Sequence, residues 1–177
     1  MSNKEDYNLV IAAFEGKETA DFVYNTLLAM QNAMMVELKT VSTVYRNDRG
    51  KLKVHHKHGL TTWKGAAGGI AVGLLLGGPI LGGAIGALIG SRGDGEQRKA
   101  KKFLDEKLGE DNSAIIVAFK EANLTALRDM FDRFNAEQLL MALTPETEKE
   151  IADLAANEEV AQTVQAEIDI IDESSVA

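Results

Sequence analysis

From Gly65 to Gly90 the chain runs 26 residues without a charged side chain, and its glycines form two ladders of four-residue step: Gly65, Gly69, Gly73, Gly77, then Gly78, Gly82, Gly86, Gly90. A helix brings positions i and i+4 onto one face, so each ladder would present a strip of bare backbone to a closely packed neighbour. The ladders slip by one residue at Gly77-Gly78-Pro79. Glycine suits a helix C-terminal cap and proline the first turn of the next helix, so a turn is predicted at those three residues. The run reads as a helical hairpin with a glycine zipper on each arm.

What lies on either side decides how such a hairpin can be placed. Leu9 to Phe14 (LVIAAF) is followed by a helical stretch and then by Val36 to Tyr45; Ala114 to Phe119 (AIIVAF) is followed by a helical stretch and then by Gln138 to Leu143. Both halves therefore read strand, helix, strand. Ala20, Val23, Leu27, Met30 and Met34 recur at helical spacing in the first, and Leu124, Leu127, Phe131 and Phe134 in the second, behind Asn123 as an N-cap. The opening strands are apolar on both faces, as central strands are, whereas Val36 to Tyr45 alternates as an edge or half-exposed strand does. Arg46 to Gly50 is a turn signal leading into a hairpin strand over Lys51 to Lys57. The expected fold class is α+β: a ferredoxin-like split βαβ sandwich, helices on one face, with an inserted glycine-zipper hairpin and a C-terminal acidic helix.

Two halves of one sheet must lie on the same side of any membrane, so the insert has to return. Each arm of about 13 residues spans roughly 20 Å at 1.5 Å per residue, short of a hydrocarbon core of about 30 Å. A hairpin inserted part of the way is the consistent membrane picture, and its turn would need protein partners for its backbone groups. Trp63 and Lys64 stand at its mouth, a pairing suited either to a bilayer interface or to a tryptophan packed where hairpin meets domain.

Charge supports that orientation. The net charge is −8, yet residues 46–110 carry twelve Lys/Arg against six Asp/Glu, and residues 111–177 four against fifteen. Lys64 precedes the apolar run, and Arg92, Arg98, Lys99, Lys101 and Lys102 follow it. Cations at both ends place the soluble domain and both termini on the cytoplasmic side of the cytoplasmic membrane, facing anionic headgroups. The polar opening MSNKEDYN has no secretory h-region, which agrees with a cytoplasmic N-terminus. Nucleic acid is not an expected partner, since the basic stretch has no interleaved aromatics or binding motif.

Glu96 to Leu108 is predicted as a basic helix that buries Ala100, Phe103, Leu104 and Leu108 and stops at Gly109. Beyond it, Thr144-Pro145-Glu146 starts an acidic helix with Ile151, Leu154, Ala161, Val164, Ile168 and Ile171 on one stripe. The chain thus divides into residues 1–59 (first half of the sheet domain with the extra strand), 60–92 (hairpin), 93–143 (connecting helix and second half) and 144–177 (acidic tail).

The LVIAAF strand with its ETADFVYNTLLAM helix, the turn DRGKLKV, the run WKGAAGGIAVGLLLGGPILGGAIGALIG, the strand SAIIVAF and the closing LTPETEKEI together resemble the bacterial family called domain of unknown function 1269, over about residues 7–152. The resemblance implies a predicted membrane protein with a ferredoxin-like domain and a hairpin. It implies no catalytic or ligand residues, and the extension after about residue 155 departs from it.

No catalytic centre or cofactor site emerges. Cysteine is absent, which excludes thiol and disulfide chemistry, and no Ser/His/Asp set has a usable spacing. His56 and His58 would share a strand face as weak metal candidates, but their charged neighbours are mostly lysines. The glycines lack the Lys-Ser/Thr of a phosphate loop and the strand-to-helix setting of a dinucleotide fold. Three functional readings follow. The first is a non-enzymatic membrane-associated protein that self-assembles through the hairpin. The second is a soluble cytoplasmic homo-oligomer whose hairpins bury one another. The third, by fold analogy alone, is a regulatory or small-ligand binding module.

Overall fold

The computed structural model describes residues 7–50, 52–56 and 94–143, together with Lys149, Asp153, Ala156, Glu158 and Gln162, which are helical and exposed. Within the described residues the chain is a mixed α/β molecule: β1 (Tyr7–Glu15), α1 (Thr19–Asn32), β2 (Leu38–Arg46), β3 (Leu52–His56), α2 (Asp94–Lys107), β4 (Asn112–Lys120), a 3-10 turn (Glu121–Asn123), α3 (Leu124–Arg133) and β5 (Glu137–Leu143). The five strands form one antiparallel sheet in the order β3-β2-β4-β1-β5. β1 and β2 flank β4, while β4 and β5 flank β1, so the two strand-helix-strand units interleave.

The unbroken apolar runs of β1 and β4 occupy the middle, paired from Tyr7 with Lys120 to Glu15 with Asn112. Ile11 and Ile116 stand opposite one another and are both fully buried. Strands apolar on both faces need cover on both faces, and the helices provide it from either side. Val10, Ala12 and Phe14 of β1 with Ile115, Val117 and Phe119 of β4 meet Val23 and Leu27 of α1 and Leu127, Met130 and Phe131 of α3 in one cluster. Towards the opposite face α2 turns Ala100 and Leu104, both fully buried, and contacts β1 and β5. The expectation of helices on one face therefore holds for α1 and α3 and is corrected for α2.

The expected edge character of β2 is also corrected. β3 takes the outer position, leaving β2 between β3 and β4, and Thr40, Ser42 and Thr43 are buried with Val41 and Val44. Their polar alternation reflects small hydroxyl side chains in a tight interior. A register irregularity between Leu38 and Thr40 shifts Lys39 out of step, and its ammonium lies 4.7 Å from the Tyr7 ring centroid. At the β2-β3 turn the Asn47 side chain accepts from the Arg49 N–H at 3.0 Å and Gly50 takes φ +71°, the conformation glycine tolerates best.

Both repeat helices stop in the same way. Met35 N–H donates to Met30 and Met34 N–H to Gln31, while Ala136 N–H donates to Phe131 and Asn135 N–H to Asp132. This paired reach-back is a Schellman cap, with Met34 (φ 57°) and Asn135 (φ 52°) in the left-handed position. The helix starts depart from sequence expectation. Asn123 sits at the α3 N-cap but makes no capping bond; its side chain donates to the Glu37 carbonyl at 3.4 Å.

At α1, Glu18 likewise caps nothing. Instead Ser113 of β4 accepts from the Ala20 N–H at 3.0 Å and donates to the Gly16 carbonyl at 2.6 Å, where Gly16 has φ +95°. A hydroxyl 93 residues away thus satisfies a free amide of the first helical turn. Ser113 is 1 % exposed, so Ser113→Ala should strand that amide and lower stability by about 1–3 kcal/mol. Chemical denaturation read at an unchanged slope checks it, with Asn25→Ala, exposed on α1, as the near-neutral reference.

Candidate functional site

The element that leads from the glycine-rich run back to the sheet is α2, and its construction is visible residue by residue. Ala100 and Leu104, with Leu108 just beyond the helix, form its buried stripe at helical spacing, whereas Phe103, expected in that stripe, is only half-buried. Arg98, Lys99, Lys101 and Lys102 are all exposed, on the surface turned away from the sheet. Lys102 reaches Glu106 at 3.8 Å, an exposed i,i+4 pair in the less favourable order, Lys before Glu. The cations stand before Asp105 and Glu106 along the helix, opposite to the order its dipole prefers. At its two ends the helix follows the favourable order, with Asp94 and Glu96 in the opening turn and Lys107 in the last.

Three attachments hold the C-terminal end of α2. Arg46 of β2 donates from Nε to the Leu108 carbonyl at 2.6 Å, from Nη1 to the Gly50 carbonyl at 2.9 Å and from Nη2 to Asp105 at 2.8 Å. Asn112 donates to the Lys107 carbonyl at 2.9 Å. Lys107 pairs with Glu137 of β5 at 2.6 Å. The hydrogen bond to Glu137, followed by that carboxylate's charge, raises the Lys107 pKa above its ordinary value, so the lysine keeps its proton throughout the neutral range. A raised folded pKa favours folding below the ordinary lysine range, and the effect fades only as pH climbs through the raised value. Free carbonyls at the helix end are thus satisfied from β2 and β4, and the last turn is tied to sheet strands on both sides.

Among the sequence-derived site residues, Arg98, Lys99, Lys101 and Lys102 come together on α2. Gly65, Gly69, Gly73, Gly77, Gly78, Pro79, Gly82, Gly86, Gly90, Trp63, Lys64, Arg92 and His58 lie outside the described residues, as does the predicted turn. His56, on β3, stands in register with Ser42 of β2. Its neighbour His55 is engaged with Tyr45: their rings meet edge to face at 5.2 Å, and the Tyr45 hydroxyl lies 3.2 Å from Nε2. Among the described residues no group of three or more His, Asp or Glu could hold a metal ion, and no helix is long and apolar enough to cross a membrane.

Sequence reasoning missed Arg46 and Asp105 as a pair, because 59 residues separate them and no local pattern links them. It also missed a shallow groove of about 440 Å³ between the end of α1 and the end of β4, lined by Gln31, Met34, Val36, Glu37, Lys120 and Asn123 among others. Its polar groups engage each other: Lys120 with Glu37 at 2.9 Å, Gln31 with the Leu38 N–H at 3.3 Å and Asn123 with the Glu37 carbonyl. Such mutual pairing leaves little for a small ligand to gain there.

Taken together, the described elements define an α/β domain with a long uncharged glycine-rich insert between an outer strand and a cationic helix. Residues 62–156 match the family described as Protein of unknown function (DUF1269), and with more than half its length matched the chain belongs to that family. The match begins near the mouth of the insert, later than the resemblance beginning near residue 7, and ends at the start of the acidic extension. No curated protein and no solved structure matches the chain.

Proposed function

We propose that this chain is a non-enzymatic, membrane-associated protein that self-assembles through a glycine-zipper helical hairpin over residues 60–92, carried on a ferredoxin-like split βαβ sandwich. The order β2-β4-β1-β5 with interleaved strand-helix-strand units supports the ferredoxin-like reading, with β3 as an added edge strand. The observation that carries the membrane reading is the placement of the two elements that bracket the charge-free run. β3 pairs into the sheet and α2 packs on it, so a single bilayer crossing between them would separate parts of one domain. A returning hairpin keeps them together.

The exposed cations of α2 follow the run directly and suit anionic headgroups, each basic side chain near such a surface contributing about 1 kcal/mol. The glycine ladders would pack arm on arm, leaving Ile70, Leu74, Leu75, Ile80, Ile85 and Leu88 to face lipid or sister hairpins.

Flotation of the full-length protein with vesicles tests this. Most of the protein should float with vesicles containing anionic lipid, and less should float when the vesicles are purely zwitterionic. Recovery as a monomer that neither floats nor sediments would refute it. A defined lipid-free oligomer would instead favour hairpins buried in one another. In that lipid-free oligomer Gly73→Leu with Gly82→Leu should dissociate the particle, and an unchanged particle mass would show that the ladders are not its interface.

A further inference from the structure

The sheet ends in two edges of opposite character. β3, at one end, has five residues and carries Lys53, His55 and His56, the short polar build that discourages further pairing. β5, at the other, has seven residues, EQLLMAL, with one charge at its start and neither proline nor glycine. Among the described residues β5 pairs only with β1. Leu140 in its centre is 42 % exposed, and Ala142 is exposed beside it. The described positions of the following segment, from Lys149 to Gln162, are helical and do not supply a strand to this edge.

We propose that the β5 edge pairs with the same strand of a second copy, antiparallel, about a twofold axis at Leu140. The strand's own sequence favours this occupant. With the axis at residue 140, position 137 stands opposite 143, 138 opposite 142 and 139 opposite 141, so the single charged residue, Glu137, never meets its own copy. Leu140 meets Leu140 of the second copy, covering the most exposed large apolar side chain among those described on this edge. A parallel in-register pairing would instead set Glu137 against Glu137. Isologous edge pairing joins two five-stranded sheets into one of ten strands and removes the open edge from both copies. It is independent of the hairpin, so a protein with both contacts could build assemblies larger than either alone would allow.

The absence of cysteine makes a positional test clean. In full-length Leu140→Cys the two sulfurs would face each other across the axis, and mild oxidation should give a covalent dimer. In Ala142→Cys the equivalent positions would lie four residues apart along the strands, about 14 Å, and should give none. As a second measurement, Leu140→Lys and Leu140→Glu should each lose the edge dimer through like charges at the axis, and mixing them should restore it as a heterodimer. No dimer at position 140, equal dimer at 140 and 142, or an assembly indifferent to Leu140→Lys would overturn the proposal. Failure of the hairpin reading would leave the 140 cross-link intact, so the two can fail separately.

Discussion

Phe131→Ala is expected to be the most damaging single truncation in the described core, lowering stability by about 3–5 kcal/mol. Phe131 is 0 % exposed and sits where α3 meets the sheet. Its ring lies 6.2 Å from that of Phe14 on β1, tilted by 54°. Phe14 in turn meets Phe134 edge to face at 6.3 Å, and Phe134 meets Phe22 of α1 at 5.8 Å. Losing the ring removes apolar burial, opens a cavity between three elements and breaks an aromatic contact worth about 0.5–1.5 kcal/mol beyond its area. The denaturation midpoint should fall by roughly 2 M urea for a slope of about 2 kcal/mol/M. Phe22→Ala, at the far end of the same aromatic chain and 63 % exposed, should cost under about 1 kcal/mol. Equal effects of the two substitutions would contradict the packing described.

The second large effect falls on Arg46. Its guanidinium joins β2, the β2-β3 turn and the end of α2 through three acceptors, and its side chain is 18 % exposed. Arg46→Ala removes charge-assisted hydrogen bonds to two carbonyls and a carboxylate, with an expected loss of about 2–4 kcal/mol. The loss should be local first, so amide exchange should accelerate across residues 98–108 before the sheet responds. Arg46→Lys should recover only a small part, because a point-like ammonium cannot span three diverging acceptors. Asp105→Asn separates the contributions. The carboxylate is 52 % exposed and solvent-screened, so the variant should lose less than about 1 kcal/mol if the Leu108 carbonyl is the main attachment. A loss as large as that of Arg46→Ala would assign the anchoring to the ion pair instead.

The strands were legible because their signals are local. LVIAAF and AIIVAF predict the two central strands, which extend by a few polar residues at either end to Tyr7–Glu15 and Asn112–Lys120. The helix stripes were legible in their interior, where Val23, Leu27, Leu127 and Phe131 reach the core, but not at the end of the first: Met34 falls in the left-handed cap beyond α1 and is 93 % exposed. Nor was the place of β2 legible. Thr40, Ser42 and Thr43 read as the polar side of an exposed strand, and only the arrival of β3 on its outer edge makes them interior. Helix starts were illegible for a related reason. Ser113 caps α1 from a strand far along the chain, and Asn123 turns its amide to Glu37 instead of capping α3. Of the candidate site, the four cations of α2 were readable from their spacing around Ala100 and Leu104. Their attachment through Arg46 was not.

By itself the sequence determined the kinds of element, the apolar stripes, the charge-free glycine run and the cations after it, because each depends on neighbours a few residues apart. The tertiary structure decided which strand is an edge, which face α2 covers, who caps α1 and, among the described residues, that β5 pairs on one side only. Those outcomes depend on partners separated by tens of residues, whose meeting is set by how the two strand-helix-strand units interleave around buried β1 and β4.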